Sequence, residues 1–464
     1  MLRTNRFRST HLAQRTVLAL GASGALIACG PTPIVLEDAG PGTDAPMGTT
    51  DTGVPRDAGV SNNDFAGAQP LEIGVAAMEA IEAPNDRDFF RFEGTAGDWV
   101  VISTEANPED NPMMIDTVVT LYDSARTQIA ENDDAVPRNN TDSEIVIRLP
   151  STGTYYVEVE EFTTWMTGMP AEGMPSYTYG LTVGAIVDGG AFNIDTEAGD
   201  DAASAQALRF GGTGGNIAFT LGTFNDATDV DVFSFTVAMP LQLLSVDVMP
   251  AGPTGYGSTR ASGEMWVTNM AGTEIIARIN PRDAMQDDLS PSLPMGSYLL
   301  WVGADGGTAG TNDHYVLKAL LGQENPVEME TVAGTNDLVA GAEPLTVTDD
   351  MGVLRGFILA HLSATDVDMF SFDVPAGRQM NVFCGSASSG SGLQGLRVEL
   401  LGEAGTTMLG MGTETATEGA SVTMVTVAAP GTHYIRISAT GQDATVTGNF
   451  ARCGVALATP MPMP

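Results

Sequence analysis

Lysine is almost missing from this chain of 464 residues: Lys318 is the only one, and basic residues total 20 against 58 aspartates and glutamates. The net charge of −38 repels nucleic acid and anionic lipid surfaces, so neither is an expected partner. Acidity of this size keeps a protein soluble, and its sharper reading is affinity for divalent cations. Cysteine occurs three times, as Cys29, Cys384 and Cys453, without a CxxC pair, and neither HExxH nor GxSxG occurs. Four histidines complete the scarce chemistry, and His314 and His433 each precede a tyrosine in strand-like stretches, where packing explains them. The "GGTGGN" run from Gly211 lacks the glycine spacing of a phosphate cradle and reads as a turn. These absences exclude the common hydrolase and redox constellations, and the chain reads as a non-enzyme. Long apolar runs at helical spacing are also lacking, whereas 54 glycines and 26 prolines favour short strands joined by turns. The length suits about three domains of ~150 residues.

What is present begins with an address. Residues 1–28 carry Arg3, Arg6, Arg8 and Arg15, no acid, and an apolar run too short to span a bilayer, the layout of a secretory signal. "LIAC", Leu26 to Cys29, resembles the bacterial lipobox, which implies cleavage before Cys29 and acylation of that cysteine. Two or more acyl chains anchor stably where one does not. Gly30 after the cysteine resembles outer-membrane sorting, so the expected location is exported and lipid-anchored to the outer membrane or cell surface. Losing four arginines and no acids takes the mature charge from −38 to −42. Residues 29–60, rich in Pro, Gly, Thr and Asp without apolar periodicity, read as a disordered linker.

The body is built on a repeat. "TDVDVFSF" at Thr228 returns as "TDVDMFSF" at Thr365, and "NDRDFFRF" at Asn85 is a weaker copy. All share Asp-x-Asp-x-Phe-x-Phe: Asp86, Asp88, Phe90 and Phe92; Asp229, Asp231, Phe233 and Phe235; Asp366, Asp368, Phe370 and Phe372. Spacing of two puts both rings on one strand face, with the acids expected in the turn before it. From the second aspartate, 65, 65 and 63 residues lead to "GTYYVEV" at Gly153, "GSYLLWV" at Gly296 and "GTHYIRI" at Gly431. "YGLTV", "YVLKA" and "FARCG" then read as closing strands, which would match Phe450 with Tyr179 and Tyr315. Upstream, "NDFAGAQPL", "DDAASAQAL" and "NDLVAGAEPL" open the units, the last with one extra residue. One domain is therefore used three times, at 61–186, 195–322 and 329–458, a period suited to complete sandwiches. Each should form its own core, as beads on a string.

This order of motifs resembles the bacterial pre-peptidase C-terminal domain over almost all of 61–458. The resemblance implies an all-β chain of three tandem jelly-roll-like β-sandwiches, modules that accompany secreted proteases and of which some bind calcium or an insoluble substrate. No peptidase accompanies them here. Carried over by position, the calcium ligands would be Asn63, Asp64, Asp86 and Asp88; Asp200, Asp201, Asp229 and Asp231; and Asn336, Asp337, Asp366 and Asp368. Calcium takes six to eight oxygens from several turns, and the glutamates that calcium-binding members place upstream of the opening pair are missing in repeats one and three, while in repeat two only Glu197 comes near, out of register. The competing reading is that these acids cap turns.

Two further expectations come from the residues. Cys384 and Cys453 are left to pair once Cys29 is acylated, and both lie in one domain of an exported protein; Cys453 is out of phase with Phe450 if that residue matches the tyrosines, so a bulge or a shifted register would be needed. Among the tryptophans, Trp99 and Trp301 fall in strand patterns expected to be core, and Trp165 lies in an insertion of repeat one, which makes it the best exposed ligand contact. The function expected is a lipid-anchored surface module that binds extracellular polysaccharide or protein. The alternative is a spacer, or an accessory subunit of a separately encoded secreted hydrolase.

Overall fold

The computed structural model describes residues 62–459 except 107–114, 134–140, 197–198, 212–214, 240–241, 249–262, 281–287, 305–308, 311–312, 323–333, 351, 363–365, 416–418 and 428–429. The expected signal, Cys29 and the linker lie outside the described residues. Two compact units divide the chain, one ending at Gln323 and the other starting at Glu324.

The fold is all-β, and among the described residues its helix is limited to the turn Phe162–Trp165 and two short 3-10 turns. In the first sandwich, a five-stranded sheet runs in the order Gln69–Pro70, Arg87–Gly94, Gly153–Glu161, Thr117–Tyr122, Gln128–Asn132. Facing it is a four-stranded sheet ordered Ala77–Ala80, Thr178–Ile186, Trp99–Glu105, Glu144–Arg148. Phe90, Phe92 and Val157 from one sheet meet Val100, Ile102, Leu181 and Val183 from the other in a single core. Each such ring or aliphatic chain contributes about 1.5–3 kcal/mol by leaving water.

The other two sandwiches repeat this pairing to the residue. The octet strands Arg87–Gly94, Val230–Val237 and Val367–Val374 lie antiparallel to Gly153–Glu161, Gly296–Gly303 and Gly431–Ser438. Each pairing closes glycine-side at Gly94 opposite Gly153, Val237 opposite Gly296, and Val374 opposite Gly431. On the other edge a short parallel strand sets Gln69 opposite Phe90, Gln206 opposite Phe233, and Glu343 opposite Phe370. Two residues after the turn glycine, Tyr155 and Tyr298 stack near Phe92 and Phe235, and their hydroxyls donate back to Ser151 O at 2.5 Å and Pro294 O at 2.9 Å. His433 holds that place in the third sandwich, opposite Phe372 and buried, with Nδ1 3.0 Å from Gly431 O.

Repeats one and two are not separate beads. The outer faces of Trp99, Val101, Val146 and Ile186 from the first sandwich pack on Phe219, Leu221 and Val316 of the second. Trp99 is thus buried between two sandwiches rather than in its own core, with its ring edge-on to His314 at 5.3 Å. Apolar side chains on the outer face of a sheet are the physical reason, because they must be covered by something.

The third unit carries a disulfide between Cys384 and Cys453, which stand directly opposite on the neighbouring strands Gln379–Gly385 and Phe450–Ala458 with Cα atoms 4.0 Å apart. No bulge is needed between these strands. Cys453 shares its inward face with Ala451, Val455 and Leu457, and Phe450 is the residue out of phase. Replacing both cysteines by alanine is expected to lower stability by about 3–5 kcal/mol, since the bond closes a loop of 69 residues. A urea midpoint of the third unit's transition that does not move in the double variant would contradict this.

Candidate functional site: the octet strand and its outer face

The second aspartate and the two phenylalanines of each octet share one strand parity, so Asp88, Asp231 and Asp368 point the same way as the rings. The first aspartate closes the preceding loop. Asp86 Oδ2 accepts from Glu82 N at 2.8 Å, and Oδ1 accepts from Arg87 N at 3.0 Å and Asn63 Nδ2 at 2.7 Å. Asp229 does the same to Asn225 N at 2.6 Å, and Asp366 Oδ1 accepts from Val367 N at 3.2 Å. The second aspartate is not in a turn but inside the strand: Asp88, Asp231 and Asp368 are all buried. A carboxylate there needs a donor. Tyr179 Oη donates to Asp88 Oδ2 at 2.6 Å, and Tyr315 Oη donates to Asp231 Oδ2 at 2.7 Å. Burial, and then the Asp88 charge, hold the Tyr179 hydroxyl well above its ordinary pKa, so it remains a donor.

Repeat three departs from this. Gly97 N and Gly377 N bond to Leu149 O and Val427 O in matching turns, and seven residues later Thr104 and Cys384 face Leu181 and Cys453. The counterpart of Tyr179 is therefore Ala451, not Phe450. The opening pair is also shifted. Asn62, Gly199 and Asn336 carbonyls accept from Phe89, Val232 and Met369, so Asp337 matches Asn63 and Leu338 stands where Asp64 and Asp201 do. No extra residue exists there. Asp64 Oδ1 accepts from Ala66 N and Gly67 N, and Asp201 Oδ1 from Ala203 N and Ser204 N; the Ser204 hydroxyl, which also donates to Asp201 Oδ1, and then these N–H groups hold the Asp201 carboxyl below its usual range. Asp200 is exposed beside it. Lone pairs of the outer acids bind turn N–H groups, the inner acids lie inside the core, and among the described residues no group of three or more acidic, histidine or cysteine side chains is placed to hold a metal ion.

The opposite face of the same sheet is where the repeats differ. One cross-strand position holds Thr120 opposite Glu158, Trp266 opposite Trp301, and Glu399 opposite Arg436. In repeat one Arg87 bridges buried Glu158 and Glu160 at 2.9 and 3.0 Å, and Tyr122 Oη donates to Glu158 at 2.5 Å. Beside them Phe65 is ringed by Phe89, Tyr122 and Tyr156 at 4.7, 5.1 and 5.3 Å. In repeat two the indoles of Trp266 and Trp301 stack at 5.6 Å and 10°, with Arg278 5.8 Å from the Trp266 ring and ion-paired to Glu264. In repeat three Arg397 and Arg436 flank Glu399.

Residues 86–161 match the bacterial pre-peptidase C-terminal domain. The match starts at the first octet aspartate and ends with the strand that pairs to it. This domain is non-catalytic, usually found at the C-terminus of proteases, and belongs to secreted proteins. Over 100 residues the chain is 36% identical to "Probable subtilase-type serine protease" of Deinococcus radiodurans, which covers 21% of this chain and 13% of that protein. The chain thus spans a small part of that relative's length. The pre-peptidase C-terminal domain of a Bacillus anthracis collagenase is similar at 17% identity over 25% of this chain and 93% of its own, with a TM-score of 0.19. The CUB1-EGF-CUB2 region of human MASP-1/3 is similar at 7% identity over 53% and 99%, with a TM-score of 0.17.

Of the sequence candidates in and around the domain, Trp165 is half-buried, tilted on Phe162 at 5.5 Å, and donates Nε1 to Glu131 at 3.2 Å; it covers the glutamate cluster rather than standing free. Trp301, expected in the core, is on the outer face. Sequence reasoning missed Tyr179 and Tyr315 as aspartate partners, although a tyrosine opening the closing strand of both units was visible. It also missed the Trp266–Trp301 stack, which no local pattern reveals.

Two outcomes are expected. Tyr315→Phe removes the donor to a buried carboxylate and should cost about 1–3 kcal/mol in a denaturant melt, whereas an unchanged midpoint would show Asp231 satisfied without it. Glu160 is pushed up to about 7, first by burial and then by Glu158 and Glu131, against the lowering effect of Arg87. A carboxyl whose folded pKa is raised binds its proton more tightly folded than unfolded. Its contribution to stability is therefore present below about 4.5 and lost as pH rises to about 7, roughly 3 kcal/mol in all. The melting temperature should fall more steeply between pH 5 and about 7 in the wild type than in Glu160→Gln, and parallel profiles would refute the assignment.

Proposed function

We propose that the chain is a lipid-anchored, non-catalytic binding protein of the cell surface, whose sandwiches present the outer faces of their octet sheets to extracellular polysaccharide or protein. The observation that carries this reading is the single cross-strand position whose residues change from Thr120 and Glu158 to Trp266 and Trp301 to Glu399 and Arg436 while the surrounding register stays the same. A structural spacer has no use for that contrast, whereas a set of binding faces does. Half-buried stacked tryptophans flanked by an arginine and a glutamate suit a ligand with both apolar rings and hydrogen-bonding groups. Calcium is no part of this reading. An accessory role beside a secreted protease draws support from the protease relative and remains the second reading.

A pull-down from intact cells, set against extracellular matrices, polysaccharides and secreted proteases, tests both. Trp301→Ala is expected to abolish capture of the matrix or glycan ligand while leaving the melting curve near the wild type, and Cys29→Ser should move the protein from the membrane fraction to the medium. Capture of a protease alone, indifferent to Trp301, would favour the accessory reading. A Cys29→Ser protein that stays with the membrane would end the lipid anchor.

A further inference from the structure

The junction of the first two sandwiches encloses a cleft of about 550 Å³, within the range of small-ligand sites. Its walls come from both sandwiches, with Trp99 and Ile186 on one side and Leu221 on the other. Arg148 ends its strand in this cleft, directly opposite Trp99 in the ladder. Its Nη1 donates to Thr223 Oγ1 across the junction at 3.3 Å. Gly97 in the turn beneath has φ +90°, which favours glycine.

Arg148 has no carboxylate partner among the described residues. Arg87, Arg209, Arg278, Arg397 and Arg436 are ion-paired, whereas Arg91 and Arg378 donate to carbonyls and Arg126 lies over the Phe65 ring; Arg148 is the unpaired arginine that lines this cleft. Asp98 lines the same cleft, is exposed, and does not pair with Arg148. A planar cation with donors to spare, an apolar wall and three aspartates, Asp98, Asp195 and the Arg209-paired Asp188, therefore converge on one cavity.

We propose that this cleft binds the C-terminus of a peptide that ends in an apolar residue. The terminal carboxylate meets the guanidinium of Arg148, whose paired donors suit it. The last side chain lies against Trp99, Ile186 and Leu221, and the N–H of that residue faces the Asp98 carboxylate. Polyanions such as uronic acid polymers are disfavoured by the net charge of −38, whereas a peptide end brings a single negative group. The site is separate from the outer sheet faces and does not depend on them.

Isothermal titration of the full chain with N-acetyl-Gly-Leu and with its C-terminal amide tests the proposal without any variant. The acid should bind in the millimolar range or better, and the amide at least tenfold more weakly. Arg148→Gln, confirmed folded by its melting curve, should lose at least tenfold for the acid, with Arg148→Lys between it and the wild type. Trp301→Ala should leave the affinity unchanged, which separates this site from the surface-binding reading. Equal binding of acid and amide, no binding of the acid at millimolar concentration, preference for a uronic acid oligomer, or an Arg148→Gln protein that binds like the wild type would each overturn it.

Discussion

The alternation of a β-strand is the constraint on which each sandwich depends. Side chains two apart point the same way, so a strand that sends Phe90 and Phe92 into the core must send Asp88 there too, and the same holds for Asp231 and Asp368. A buried carboxylate is tolerated only with a partner. In the first two sandwiches that partner is a tyrosine hydroxyl from the facing sheet, so one hydrogen bond ties the octet strand to the closing strand across the core. The charge that looks ready for a ligand is part of the framework. Its loop-closing neighbour, the first aspartate, does a related task by accepting from N–H groups four residues back.

With most of the inward face committed in this way, the widest variation falls on the outward face. The octet sheet keeps its strand order in all three sandwiches, yet its outer side is an arginine-bridged cluster of buried glutamates, a half-buried tryptophan stack or an Arg–Glu–Arg row. The facing sheet varies as well. In the first sandwich its outer side carries Trp99 and Val101, and these are covered by the second sandwich. The packing joins two repeats into one unit and leaves a cleft where their rims do not meet, with Arg148 at its wall. The third sandwich cross-links two strands of its facing sheet covalently instead, with the cysteine pair two residues from Ala451, the place the tyrosine holds elsewhere.

The sequence by itself determined what depends on local order. Spacing of two in Asp-x-Asp-x-Phe-x-Phe, glycine turns followed by alternating apolar residues, and two cysteines in one repeat were enough to read β-strands, the repetition of a sandwich and the cysteine pair. Tertiary structure alone decided which residues lie opposite one another. The third repeat aligned one residue off at both its opening pair and its closing strand, because motifs such as "ND" and an aromatic near the strand start mislead when only hydrogen-bond register shows that Asp337 matches Asn63 and Ala451 matches Tyr179. Trp99 and Trp301 sit in equally regular strands, yet one is buried between sandwiches and the other stacks on an outer face. Alternation says which residues share a face, but not what covers that face, since a covering strand or sandwich is brought there by contacts far apart in the chain.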